Sequence, residues 1–251
     1  ADQLAAYVDP AFASASSGFV SAWLVALGYT FQLYFDFSGY SDMAVGLAHV
    51  LGIRFPQNFH SPYKAVDVAD FWRRWHISLS TWLRDYLFIP LGGSRNGRLQ
   101  TVRNLAVTMF LGGLWHGAQW TFVAWGLYHG VLLALNAVGS PARAPVPPWL
   151  GRTVTFVAVV FGWMLFRSAT FSYAMDVWAA MMGAHGLGLV TSPGGPFLLV
   201  LGGGALIAFL APNTWEIEFK PRPVYAYGLA AAFVVSVLLL ERASPFLYFQ
   251  F

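Results

Sequence analysis

The sequence predicts an all-α fold: a polytopic membrane helical bundle that also carries amphipathic or re-entrant helices. Three observations predict it. Of 251 residues, 57% are hydrophobic and only 10% are charged, where a soluble domain carries roughly 25% charged residues. Aromatic residues reach 18%, with 11 Trp and 22 Phe, and the mean hydropathy is +0.57; Trp and Tyr favour the headgroup level of a bilayer. Long charge-free runs recur, each bounded by Pro, Gly or charge.

The elements follow in order. The opening ADQLAAYVDPAFASASSG has no initiator Met and no basic segment ahead of an apolar core, so it does not read as a signal peptide. With the abrupt apolar ending PFLYFQF, it points to the C-terminal portion of a longer chain. A bilayer core of about 30 Å needs roughly 20 apolar residues in a helix. Runs 18–35, 118–138, 153–166, 194–211 and 224–240 contain 18, 21, 14, 18 and 17 residues without a formal charge. They predict about five spans plus broken pieces, since short spans occur where they are buried in protein or snorkel at their ends. Between residues 36 and 104 charges become frequent while Trp, Phe and Leu stay dense, the pattern of interfacial or re-entrant helices. LGGSRNGRLQTVR holds three Arg and no acid, which assigns that loop to the cytoplasmic side. GSPARAPVPPWLGR and APNTWEIEFKPRP read as linkers. The expected organisation is one membrane domain over 1–251.

The net charge of +3 comes without a Lys/Arg run. It fits loops against an anionic leaflet better than nucleic-acid binding. The absence of Cys excludes disulfides, thiolate metal sites and a cysteine nucleophile. No His or carboxylate set has metal-site spacing, so no metal is expected.

Two histidines carry the candidate chemistry. In DFWRRWHISLSTWLRDY, residues 70–86, a continuous helix would place Trp72, His76, Leu79, Leu83 and Tyr86 on one apolar face. His76 is then either a packed interface histidine or a site residue. Asp70, three and four residues before Arg73 and Arg74, suits local ion pairs. His116 stands in GGLWHGAQW, inside the apolar run 105–138. A helix over 105–115 covers about 16 Å, which puts His116 near the membrane midplane. The surrounding glycines either bring backbones close or break the helix. An ionisable residue at that depth is costly and marks a functional site by default; the competing reading is a histidine that links helices by a hydrogen bond. A neutral imidazole can take a proton from an attacking hydroxyl and return it to a leaving group. With no G-x-S-x-G elbow in the chain, the reaction this predicts is direct acyl transfer from a bound thioester to a bound alcohol. His49, His60, His129 and His185 read as packing or turn residues.

The run YFDFSGYSDMAVGLAHVLGIRFPQNFHSPY, followed by DFWRRWHISLSTWLRDYLFIPLGGSRNG and FLGGLWHGAQWTFVAWGLYHG, resembles the membrane-bound O-acyltransferase (MBOAT) family, in its bacterial alginate-type branch. The match covers about 34–136, and the C-terminal spans over 150–251 are also similar. The resemblance implies amphipathic or re-entrant helices around a transmembrane tunnel, in the bacterial inner membrane. It implies a cytoplasmic thioester donor, acetyl-CoA or an acyl carrier, with no bound cofactor. It implies an exported polysaccharide such as alginate as the destination, with periplasmic partner proteins passing the acetyl group on. The family's invariant histidine maps onto His116 in LWHG as general base. Its second polar position maps onto His76, 40 residues earlier. Asp36, Tyr40 and Asp42 match the DFSGYSDM motif, and Arg73, Arg74, Trp75 and Arg84 match the helix motif. These, with Trp115, are the expected substrate-binding residues. Family members run to roughly twice this length, with several spans ahead of the first motif. A transporter or channel, or a non-catalytic scaffold of a polysaccharide export complex, are the alternative functions.

Overall fold

The computed structural model describes residues 1–139, 146–188, 194–218 and 222–238. Ten α-helices occur among them, and no strand does. They are α1 Asp2–Phe12, α2 Phe19–Val50, α3 Val68–Arg74, α4 Ile77–Leu83, α5 Arg98–His116, α6 Trp120–Gly139, α7 Pro148–Arg167, α8 Phe171–Met181, α9 Gly195–Leu210 and α10 Pro223–Leu238. A five-residue π-helical turn, Arg84–Phe88, continues α4. The ending PFLYFQF lies outside the described residues, as do residues 140–145 of the 139–152 linker. The end of that linker differs from expectation: its WLGR forms the first turns of α7.

Two helices, α6 and α7, are long and apolar enough to cross a membrane, with mean hydropathies of 1.4 and 1.6. The five expected spans therefore reduce to two among the described residues. Helices α9 and α10 have the apolarity but only 16 residues each. Run 18–35 is the first half of the 32-residue α2, where Tyr, Thr, Gln and Trp dilute the apolar character. Along α6, Leu127, Val131, Leu135 and Val138 are all exposed. They form one outward stripe at helical spacing. A water-facing helix would carry polar residues there; an apolar stripe suits lipid or another span.

The core gathers α1, α2, α7 and α8 around Tyr29, Phe31, Trp163, Met164 and Met181, all 2% exposed or less. Helix α8 was not expected from the sequence. It buries Ala174, Val177, Ala180 and Met181, which share one face. Cross-links tie it in: Trp23 Nε1 donates to the Met181 carbonyl at 2.9 Å, and Trp178 Nε1 to that of Phe161 at 2.9 Å.

Helices α5 and α6 come within backbone contact of each other. A Cβ built on Gly113 would stand 2.3 Å from the Phe122 carbonyl oxygen, and one on Gly126 would stand 2.2 Å from that of Met109. No side chain fits at either place. Small residues of this kind let helices approach in a membrane, where lipid gives no hydrophobic drive between them.

Asp70 anchors α3. Asp67 caps that helix, its carboxylate accepting the Asp70 N–H at 2.7 Å. The Asp70 carboxylate accepts from Arg74 Nε at 2.9 Å and from the Val66 N–H at 3.2 Å, and pairs with Arg73 at 3.5 Å. Burial alone would raise this carboxyl, but the Arg74 and Val66 bonds and the two guanidinium charges outweigh it and hold it below the usual range. Such a group adds stability above the unfolded carboxyl's pKa, and that stability is lost as pH falls through the lower folded value. Asp70→Asn should therefore melt below wild type at neutral pH in detergent, and the gap should close as the pH falls below the usual carboxylate range. A gap that stays constant over that range would refute the charge assignment.

Candidate active site

His116 is the last residue of α5. Gly117 follows at φ 157, and a Cβ there would lie 2.8 Å from the Phe122 ring. Glycine therefore lets the chain leave the helix directly against α6. Both anticipated uses of the glycines occur: Gly117 ends the helix, and Gly113 with Gly126 closes it on its neighbour. The His116 imidazole is set edge-on to Trp125 at 5.2 Å and 88° and to Phe166 at 5.1 Å and 83°. Trp115 lies 5.1 Å away.

His76 reaches the same place by a different route, and here one expectation fails. Residues 70–86 are not one helix. Helix α3 ends at Arg74 and α4 begins at Ile77, with His76 between them at φ 43, in the left-handed region. Neither Gly nor Pro causes the break. Segment 58–60 does: the His60 N–H donates to the Arg74 carbonyl and the Ile77 N–H to the Asn58 carbonyl, both at 2.9 Å. A non-glycine residue at positive φ is uncommon, and such strain concentrates at functional sites.

Asn58 also fixes the His76 ring. Its side-chain oxygen accepts from the Ser78 N–H at 3.2 Å and the Ser78 hydroxyl at 2.9 Å, while its amide nitrogen donates to Ser41 at 3.1 Å. The same oxygen lies 3.2 Å from His76 Nδ1. The Ser78 hydroxyl is also 3.4 Å from Nδ1; the Asn58 oxygen beside it favours the tautomer with the proton on Nδ1 and the lone pair on Nε2.

The two imidazoles line one small cavity of about 20 Å³, walled by Leu33, Phe37, Trp75, Trp125, Trp163 and Phe166. Phe37 sits 4.8 Å from the His76 ring, edge to face. Trp115 stands beside both histidines, 6.4 Å from His76. Two bases on an otherwise apolar, ring-walled space can accept and return one proton without a competing polar group.

The other expected site residues divide. Trp75 lines the cavity. Arg73 and Arg74 are held by Asp70, and Arg74 also reaches the His60 carbonyl at 3.3 Å; they hold α3 in place and do not line the cavity. Arg84 is exposed and pairs with its neighbour Asp85 at 2.7 Å. Asp36 and Tyr40 lie on α2 outside the cavity lining. Asp42 accepts from the Thr214 hydroxyl at 2.7 Å and lines a different cleft. His129 is fully buried against Trp72 and Trp125, at 5.2 and 5.1 Å, and Trp125 packs on both His129 and His116. Sequence reasoning missed Asn58, Trp125, Trp163 and Phe166. Asn58 lies inside the quoted PQNFH segment, but no spacing rule marks it, since its partners are 17 to 20 residues away.

The chain matches the sequence profile of MBOAT, the membrane-bound O-acyltransferase family, over residues 9–175. It is 53% identical over 182 residues to the probable alginate O-acetylase AlgI of Pseudomonas aeruginosa, covering 72% of this chain and 35% of that protein. It is 42% identical over 282 residues to the protein of the same name from Pseudomonas putida, covering 100% of this chain and 58% of the relative. To the peptidoglycan O-acetyltransferase of Helicobacter pylori it is 45% identical over 194 residues, covering 75% and 37%. The chain thus spans between about a third and three fifths of the length of these relatives. All-helical, with membrane-length helices and matched by this profile over most of its length, the chain belongs to the membrane-bound O-acyltransferase family.

Proposed function

We propose that the protein carrying this chain is a multi-pass inner-membrane O-acyltransferase that moves an acetyl group from a cytoplasmic thioester toward an exported polysaccharide, alginate or a similar polymer. The observation that carries this reading is the pair of imidazoles, His116 and His76, on one apolar cavity at the tip of the α5–α6 hairpin. Acetyl-CoA or an acyl carrier supplies the acyl group. The cavity is the narrow part of a passage across the membrane, with the Arg-rich 91–103 loop on the cytoplasmic side. Periplasmic partner proteins receive the acetyl group or carry it onward.

In this mechanism His116 takes the proton of the acceptor hydroxyl as that oxygen attacks the thioester carbonyl. The tetrahedral adduct collapses, the C–S bond breaks, and the imidazolium returns its proton to the departing thiolate. Proton count and charge are the same before and after. The ring walls exclude water, which would otherwise take the acyl group. His76 orients the acyl donor through Nε2, and Trp75 and Trp115 border its path. Asp36, Tyr40, Asp42, Arg73, Arg74 and Arg84 serve the surroundings of the site.

The test is complementation. A host lacking its own acyltransferase of this kind, given the protein that carries this chain, should recover O-acetyl groups on its exported polymer. No recovery with protein present at normal level would overturn the reading. Asn58→Ala removes the bond that favours this His76 tautomer. A single hydrogen bond is worth about 1 kcal/mol net, so kcat should fall about fivefold with the protein level unchanged; an unaltered kcat would remove Asn58 from the site.

A further inference from the structure

A second cleft, of about 230 Å³, opens between α2, segment 59–61 and the connector after α9. The middle of α2 forms one wall, segment 59–61 the floor, and the connector after α9 the other wall. Its apolar surface joins the aromatic Tyr34, Phe35 and Phe59 to aliphatic residues at the end of α9. Its polar groups include the Asp42 carboxylate, the Asn213 amide and the Ser38, Ser61 and Thr214 hydroxyls.

This cleft is built, not incidental. Asn213 donates to the Ser61 hydroxyl at 3.1 Å and lies 3.2 Å from His60 Nδ1. Its own side-chain oxygen accepts the Trp215 and Glu216 N–H groups at 3.0 and 3.2 Å. Thr214 bonds across to Asp42 on α2, 172 residues away in the chain. The two walls are thereby fixed at a set width. One Asp42 oxygen takes the Thr214 hydroxyl, and a carboxylate retains several further acceptor positions.

The cleft also adjoins the reaction cavity. Phe59 on its floor packs at 5.0 Å on Phe37, and Phe37 packs at 4.8 Å on the His76 ring. Two aromatic layers are all that separate it from the imidazole.

We infer that this cleft binds a pyranose unit of the acceptor polysaccharide, with the ring's C–H face on the aromatic floor and its hydroxyls on Asp42 and the serines. The inference rests on the acyltransferase reading above and names the acceptor side of it. Chemistry decides against the donor. Coenzyme A and an acyl carrier's prosthetic arm both carry phosphate, and a phosphate-binding site needs cationic or N–H donors. Here Asp42 is the charged side chain in the lining, no Lys or Arg lines the cleft among the described residues, and Glu216 lies nearby, 3.9 Å from His60. Hydroxyl donors suit such a surface, and sites that bond hydroxyls reject analogues lacking them strongly.

Gly39 supplies a clean test. It lines the cleft on α2, and a Cβ there meets nothing within 4 Å. Gly39→Leu fills the cleft without disturbing the helix, whose propensity it improves. The protein that carries this chain, in lipid nanodiscs, would be titrated with cellohexaose, mannuronate hexamer and coenzyme A, and binding read by saturation-transfer NMR. Cellohexaose should bind more tightly than the mannuronate hexamer, since Asp42 and Glu216 disfavour a uronate carboxylate as they do a phosphate, and Gly39→Leu and Asp42→Ala should each weaken it tenfold or more. A mannuronate hexamer that binds the tighter of the two would overturn the charge argument on which the assignment stands. His116→Ala should bind sugar as wild type does. No sugar binding, binding indifferent to Gly39→Leu and Asp42→Ala, or displacement of the sugar by coenzyme A would each overturn the assignment. Sugar bound normally with no acetyl transferred would leave the cleft standing and remove the acyltransferase reading instead.

Discussion

His116→Ala should abolish polymer O-acetylation while leaving the protein's abundance and melting behaviour close to wild type. The expected loss is at least a hundredfold, since general base catalysis by a positioned side chain contributes about 10²- to 10⁴-fold. The structural cost should be small by comparison. His116 is the final residue of α5 and is only partly buried, so the truncation enlarges an existing cavity rather than opening a new one. A transporter would respond differently: flux would change and no covalent product would be at stake. A scaffold would tolerate the change. Acetyl content retained in the His116→Ala protein would return this residue to a packing role and reopen both alternatives. His116→Gln adds a second arm, because it keeps most of the volume and a hydrogen-bonding end but cannot carry the proton. Loss in Gln as well as Ala assigns the effect to proton transfer rather than to shape.

How much of this was legible in the sequence depends on whether the cause is local. Helices α6, α9 and α10 were read within a few residues of their observed ends, because charge-free runs bounded by Pro, Gly or charge are local signals. Helix α2 was only half read. Its apolar first half was visible, but its continuation through DFSGYSDMAVGLAHV to Val50 was not, since helix propensity carries on there while charges mimic a boundary. The opposite error occurred at residues 70–86, where an unbroken helical pattern is interrupted at His76 by backbone bonds from segment 58–60. That is tertiary override of propensity, invisible without the partner strand of chain. His116 stood out as a candidate because an ionisable group in an apolar run is expensive, and His76 because it occupies the second polar position of the family motif. Their joint cavity, and the Asn58 contact that fixes one ring, depend on packing. The arginines illustrate the converse: Arg73, Arg74 and Arg84 matched a motif but satisfy nearby acids. The second cleft joins Asp42 to Thr214 across 172 residues, a juxtaposition that no window-based pattern contains.

The substitution with the largest expected effect on folding is Gly113→Val, with Gly126→Val as its mirror on the facing helix. Ordinary overpacking of a core costs about 1–3 kcal/mol because neighbouring side chains rotate aside. Here the neighbour is backbone. The built Cβ positions fall 2.3 and 2.2 Å from carbonyl oxygens of the opposite helix, and a carbonyl within an α-helix cannot rotate away without breaking its own hydrogen bond. Helices α5 and α6 must instead separate by more than an ångström along their shared seam. We expect most of the protein to be lost from the monodisperse, detergent-soluble fraction, measured by fluorescence-detected size exclusion. Gly46→Ala on α2 is the control: nothing stands within 4 Å of its Cβ, and Ala is favoured over Gly in a helix by about 1 kcal/mol, so that variant should be as stable as wild type or slightly more so. Any Gly113→Val protein that does fold should still fail to transfer acetyl groups. Gly113 lies one turn before His116, so the displacement is delivered to the imidazole, and a misplacement of about 1 Å at a reacting group can cost a hundredfold in rate. A Gly113→Val protein that folds well and acetylates normally would show that the hairpin's close contact neither holds the bundle nor positions the base.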